Sequence, residues 1–310
     1  MTRSHHGCLI SVTLSLAICL SAVAIEARAQ NRGVYPLGMN GTNSGVTPEA
    51  GFTYVNQLLT YSRDTSRGSR GEVLAIGRNS VVMDMNTIVW VSKRKILGGA
   101  KFSMSATLPF ARNSLTADAT GPISGGGGFA DSYYQPFILG WETKRVSVRA
   151  VYGFLAPSGR FQAGANDNVG AGFWTHAFSS GQTFYLTKDK KTNLSVFEMY
   201  ELPRRQEGTS NRPGQTFDLD YSLMRVLPFG EKPWLQVGLV GYNARQTTAK
   251  RGPAVTAEQA ATRYKVNSLG FATSFSLPRK INLSFKYFQE FSNRSTFQGH
   301  SIQISGSIKL

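Results

Sequence analysis

From Gly51 to the C-terminus the chain alternates apolar and polar residues with a period of two, segment after segment. The last segment shows it most cleanly. His300, Ile302, Ile304, Gly306, Ile308 and Leu310 fall on one face, and Ser301, Gln303, Ser305, Ser307 and Lys309 on the other. Such alternation marks a strand held between an apolar and a polar environment. Phe102, Met104, Ala106, Leu108 and Phe110 repeat it, as do Ile281, Leu283, Phe285 and Tyr287. About twelve such segments run near 51–64, 79–93, 99–111, 132–144, 146–156, 173–187, 192–204, 216–228, 234–247, 263–277, 281–292 and 300–310. Each reaches the roughly 9–11 residues that a tilted strand needs to cross a bilayer. Three of them, 51–64, 132–144 and 192–204, give no clean apolar face.

The links sort by parity. Those at 65–78, 112–131, 157–172, 205–215 and 248–262 are long and rich in Gly, Ser, Asn or Arg. Those at 94–98, around 145, at 188–191, 229–233 and 278–280 are short. Short periplasmic turns alternating with longer outer loops describe a transmembrane barrel. The expected fold is therefore all-β, an antiparallel up-and-down transmembrane β-barrel of about twelve strands over residues 51–310, with both termini periplasmic.

The beginning of the chain has a different character. Arg3 precedes an apolar run from Cys8 to Ala24, and Ala27-Arg28-Ala29 supplies small residues before Gln30. That is the layout of a secretory signal peptide, here residues 1–29, with cleavage after Ala24 as the alternative. Both cysteines, Cys8 and Cys19, lie in it, which leaves the mature chain without thiol chemistry. Residues 30–50 are rich in Gly, Pro and Asn, a composition against regular structure. They read either as a flexible periplasmic leader or as a plug folded into the lumen and anchored by Tyr35, Pro36 and Leu37.

Charge narrows the partners. The 34 Lys and Arg exceed the 18 Asp and Glu, a formal net charge of +16. No nucleic-acid recognition motif accompanies the excess, and an exported chain has little access to nucleic acid. Rim cations suit the phosphates of outer-membrane lipid and lipopolysaccharide, or steer an anionic cargo.

Several short motifs, in order, resemble one family. They are GVYPLG from Gly33, TPEAGF from Thr47, DSYYQPFILGW at Asp131–Trp141, GFLAPSGRF at Gly153–Phe161, NVGAGFW at Asn168–Trp174 and VGYNARQTT at Val240–Thr248. Together they resemble the outer-membrane proteins labelled "MetA-pathway of phenol degradation". The resemblance implies a β-barrel of a Gram-negative outer membrane, folded by the insertion machinery, that handles aromatic or other hydrophobic compounds. One departure concerns the loop after Gln246-Thr247, where Ala249, Lys250 and Arg251 stand in place of acidic residues.

If the apolar faces meet lipid, the inward candidates are Asp84, Lys101, Arg149, Asp218, Asp220, Lys286 and Glu290. In a lumen of intermediate width these charges either pair with one another or flank a narrow path. Tyr133, Tyr134, Phe137, Trp141 and Trp174 read as interface girdle, or, with Arg160 as anion partner, as a stacking site for an aromatic ligand. His176 and His300 are the histidines of the mature chain, too isolated for a metal cage, and no motif joins either to a nucleophile. No cofactor, metal or enzyme activity is expected. The expected function is a channel or transporter for small molecules, aromatic, hydrophobic or anionic. The other reading is a closed structural or adhesive barrel whose outer loops bind partners or lipid A phosphates.

Overall fold

The computed structural model describes residues 32–117, 121–165, 167–227 and 235–310. The side chains of Asn79 and of residues 114–124 are also outside the description. The signal-peptide reading of residues 1–29 lies outside the described residues.

Thirteen strands are described: β1 (Gly51–Arg67), β2 (Val73–Ile96), β3 (Ala100–Ala117), β4 (Gly121–Phe129), β5 (Ser132–Glu142), β6 (Val146–Ala156) and β7 (Thr175–Tyr185). They continue as β8 (Thr192–Pro203), β9 (Thr216–Leu227), β10 (Leu235–Gln246), β11 (Lys265–Leu277), β12 (Ile281–Glu290) and β13 (Thr296–Lys309). Every pairing is antiparallel. β1 pairs with both β2 and β13, and β2 pairs with β3, so twelve strands close into a ring. β4 stands outside that ring, paired only along the far half of β3. The single described α-helix, α1 (Ala257–Ala261), is one turn in a link and opens with a capping box from Thr256 and Gln259. No described helix is long and apolar enough to cross a membrane, which says nothing of strands.

The polarity of the ring is inverted relative to a soluble barrel. Thr175, Thr183, Asn193, Ser195, Asp218 and Ser222 face inward and are almost fully buried. Phe178, Leu223, Leu239 and Ile304 point outward, each about half exposed. Apolar surface gains about 25 cal/mol per Å² when water is removed, so an outward band of this kind is stable in lipid and not in water. Closure removes free sheet edges, so the ring's backbone groups pair without water.

The predicted strands all appear, and the differences lie in the links. Residues 65–78 were expected as a loop, yet β1 and β2 extend until only 68–72 remains. Residues 112–131 were also expected as a loop and contain the end of β3 and all of β4. Serine, arginine and the Gly125–Gly128 run resemble loop composition, but hairpin pairing satisfies their backbone groups as well as water would. The long link between β1 and β2 thus shortens to 68–72, and the paired wall is longer there.

Candidate functional site

The lumen is occupied by the chain's own leader. Arg32 lies at the long-link end of the barrel, where its guanidinium pairs with Glu290 at 2.8 Å and donates to the Thr296 hydroxyl, the Tyr61 hydroxyl and the Phe297 carbonyl. The segment then descends through the ring. Glu201 accepts the backbone N–H groups of Val34 and Tyr35 at 2.9 and 2.7 Å, and the Thr216 hydroxyl at 2.8 Å. Asp220 accepts the Gly38 N–H at 2.9 Å, the Tyr35 hydroxyl at 2.5 Å and the Asn40 N–H at 3.2 Å. From β12, three strands further round the ring, Lys286 Nζ donates to the carbonyls of Gly38 and Met39, at 2.9 and 2.8 Å. Lower down, Arg149 donates to the Ser44 carbonyl at 2.6 Å, and Thr183 accepts the Gly45 N–H at 3.0 Å.

Apolar contacts fix the same segment. The Tyr35 ring lies 5.3 Å from that of Phe197. Leu37 packs against the buried group of Met224, Val240, Tyr242 and Phe288. Met39 packs with Leu59 and Met85. Glycine is required where the leader turns and touches the wall. Gly38 has φ +85°, and a Cβ at Gly45 would lie 2.0 Å from the Ser147 carbonyl oxygen.

At the short-turn end the carboxylate of Glu49 receives Lys280 and Lys309, the latter at 2.8 Å. Hydrogen bonds from Lys280 and then Lys309 hold the Glu49 carboxyl at about 2, below its usual 4.5. A lowered folded pKa gives a contribution complete above pH 4.5 and lost as pH falls through 2. Pepsin cleavage within residues 43–50 is therefore expected to accelerate between those pH values relative to Glu49→Gln. The same pH dependence in both proteins would refute the clip.

Of the seven inward candidates, Arg149, Asp218, Asp220, Lys286 and Glu290 face the lumen, and all but Asp218 bond to the leader rather than to one another. Lys101 shares the inward face of β3 with Ser103. Asp84 is a correction. Its neighbours Met83 and Met85 turn inward onto Met39, so Asp84 shares the outward face with the exposed Val82 and Ile88. There it accepts from Asn56 at 2.6 Å and Asn86 at 3.2 Å, while Tyr54 donates to Asn86. Glu198 on β8 is a second outward carboxylate, satisfied by Ser180 at 2.6 Å and Gln182 at 3.3 Å.

The aromatic candidates do not converge. Tyr133 turns inward beside the Ala177, Phe197 and Met199 cluster. Tyr134 joins an outward row with Phe154 and Trp174, at centroid distances of 5.5 and 5.9 Å. Phe137 points outward with its ring tilted against those of Phe102 and Tyr152. Trp141 is at the far end, donating to the Leu97 carbonyl. Arg160 is exposed and paired with Asp167 in the link that follows β6. Tyr134, Phe137 and Trp174 match an exterior girdle, whereas Tyr133 and Arg160 lie away from that row. His176 bonds through Nδ1 to the Tyr152 hydroxyl, and His300 lies against Tyr287. Among the described residues no group of three His, Cys, Asp or Glu is arranged to hold a metal.

Two residues of consequence carried no sequence signal of their own. Glu201 lies in a segment without a clean face. Asp131 opens DSYYQPFILGW and accepts the N–H groups of Gly159 and Ala171, at 2.9 and 2.7 Å, tying down the link between β6 and β7. Burial raises its pKa, and the two N–H donors oppose the shift.

Beside the leader, a cavity of about 310 Å³ remains at the short-turn end. Asn43, Gln236, Ser274, Ser284 and Ser305 line it with hydroxyl and amide groups.

The model of the family described as "Putative MetA-pathway of phenol degradation" matches residues 62–305. The chain belongs to this family. Among solved structures, the COG4313 outer membrane channel from Pseudomonas putida F1 superposes with a TM-score of 0.71 at 12% identity, covering 90% of this chain and 100% of that one. The beta domain of the Bordetella autotransporter BrkA superposes with a TM-score of 0.55 at 10% identity, covering 84% of this chain and 100% of that one. No curated protein matches the sequence. Identities this low speak for fold alone, and the fold is that of a Gram-negative outer-membrane barrel.

Proposed function

We propose that the protein is an outer-membrane channel for small organic molecules, with residues 32–50 as the gate. The observation that carries this reading is a polar lumen crossed by one chain segment, with a cavity of about 310 Å³ left beside it. A barrel of twelve strands is wider than its own side chains fill, and the leader takes up the difference. The hydroxyl and amide groups, set beside Val55, Val226 and Leu235, suit a cargo with one polar substituent on an apolar body, such as a phenol. Family membership supports the same class of compound.

Proteoliposomes loaded with phenol or benzene test it. Phenol efflux above that of protein-free liposomes, and faster relative to benzene, is expected. No flux from a correctly folded barrel, with or without its leader, would favour the alternative of a closed structural barrel. That alternative draws its support from the leader's dense hydrogen bonding.

In this reading the long-link end faces outward. Single cysteines placed at Glu207 and Asp189, both exposed, separate the two ends. An impermeant thiol reagent on intact cells is expected to label the Glu207→Cys protein and spare the Asp189→Cys protein. The reverse pattern would invert the barrel.

A further inference from the structure

At the outer rim, the links 68–72 and 291–295 come together over the ends of β1 and β13. The Ser295 N–H donates to the Gly68 carbonyl at 2.9 Å and joins the two links. Between them is a cavity of about 300 Å³, lined by Arg67, Arg70, Gly71, Ser292, Asn293, Arg294 and Gln298. Three guanidinium groups border it, and no carboxylate does.

These cations differ from those in the lumen. Arg32 is paired with Glu290, and Arg149 is bonded to the leader. Arg67, Arg70 and Arg294 have no carboxylate within ion-pair distance among the described residues. Arg67 spends one Nη on the Gly71 carbonyl at 3.1 Å, and its Nε is buried with no hydrogen-bond partner. The carboxylate in the same link, Glu72, is engaged by the Arg70 backbone N–H at 2.9 Å.

The pocket is held open by its own scaffold. Asn293 is fully buried, and its amide donates to Glu290 at 2.9 Å and to the Phe297 carbonyl at 2.8 Å. Arg294 exchanges two backbone hydrogen bonds with Lys265, at 2.9 and 3.0 Å. Gly71 turns the chain at φ +89°, a conformation that favours glycine. A cavity walled by fixed backbone and bordered by three unneutralised guanidinium groups is preorganised for an anion. Guanidinium forks match the oxygens of phosphate two at a time, and three of them suit a group with three free oxygens better than a planar carboxylate.

We propose that this pocket binds a phosphate monoester at the outer rim. Two sources share that chemistry, the phosphorylated headgroup of an outer-leaflet lipid and free phosphate in the medium, and the position at the rim favours the headgroup. The site does not depend on transport, and it stands if the lumen proves closed.

The full mature chain in detergent is titrated with bis-phosphorylated lipid A, with its dephosphorylated form and with inorganic phosphate. The double variant Arg70→Gln/Arg294→Gln alters two exposed side chains and leaves the buried scaffold intact, as strand content and heat-modifiable mobility would show. Saturable binding of phosphorylated lipid A, weak binding of the dephosphorylated form and a loss of roughly tenfold or more in the double variant are expected from two lost charge-assisted contacts. Saturable binding of inorganic phosphate, lost in the double variant without discrimination between the two lipids, assigns the site to free phosphate and overturns the headgroup. Equal binding by wild type and double variant overturns the site itself. So does an equal loss in Lys188→Gln/Lys190→Gln, which removes charge from the opposite end.

Discussion

Deletion of Gly33–Ala50, with the signal segment retained, is expected to raise the single-channel conductance of the reconstituted protein several-fold while strand content stays unchanged. The ring pairs through its backbone, and no strand pairing involves the leader. What the leader supplies is occupancy and compensation. Glu201, Asp220, Lys286 and Arg149 each hold part of its backbone. Removing it leaves those groups bare, and bare charges in a confined space draw water in rather than tolerate a dry cavity. A hydrated lumen of twelve-strand width conducts. Asp220→Ala tests the same idea by a smaller step. It orphans two donors, Gly38 N and the Tyr35 hydroxyl, at about 1–3 kcal/mol for each one left buried and unpaired, while Asn40 N keeps the Tyr35 hydroxyl oxygen at 2.9 Å. The leader should loosen at its midpoint, and open events should become more frequent without reaching the conductance of the deletion. If the deletion folds correctly and conducts like the wild type, the leader is a tether and the gate lies elsewhere.

The same leader explains where the sequence was legible and where it misled. Strands that meet only lipid outside and polar lumen inside, such as β13 and β12, show clean alternation and are readable by eye. β1 and β8 do not, because their inward faces carry Leu59, Phe197 and Met199, the apolar groups that hold Met39 and Tyr35. Their outward faces carry Asn56 and Glu198, satisfied by neighbouring strands. β5 is blurred for another reason. The register slips on both sides of Gln135-Pro136, as expected where a proline can give no ladder hydrogen bond, and the alternation changes phase. Asp84 was misplaced by a rule that sends charge inward and methionine outward. The rule fails when a lumen is filled by chain, since the chain's own side chains then demand apolar partners inside. No local pattern carries that information, because the partners are 28 to 258 residues away in sequence.

The outward face offers the sharpest energetic test. Ile304 lies between Leu58 and Phe285 on neighbouring strands, half exposed in the apolar band. Arginine there is expected to cost roughly 2–4 kcal/mol if the position lies near the bilayer midplane. Ser305, one residue on, lines the cavity at the short-turn end, and its hydroxyl faces that of Ser284 at 2.6 Å. Arginine at that position can hydrate and should cost less. Equal costs on the two faces, measured by denaturant refolding into lipid vesicles, would refute the assignment of the apolar face to the bilayer. Asp84 sharpens the test because it is a carboxylate on the face where arginine is costly. Its cost is offset by the two asparagine amides, so Asp84→Leu alone should destabilise by about 1–3 kcal/mol, the penalty of leaving the Asn86 amide without an acceptor while Asn56 keeps only Asn86 Oδ1 at 3.3 Å. Replacing Asn56, Asp84 and Asn86 together by leucine removes donors and acceptor at once and should restore most of that loss, as buried polar groups exchanged as a set often do. If the triple variant is less stable than Asp84→Leu, the polar cluster contributes more than mutual satisfaction, and the lipid-facing assignment of β1 and β2 fails with it.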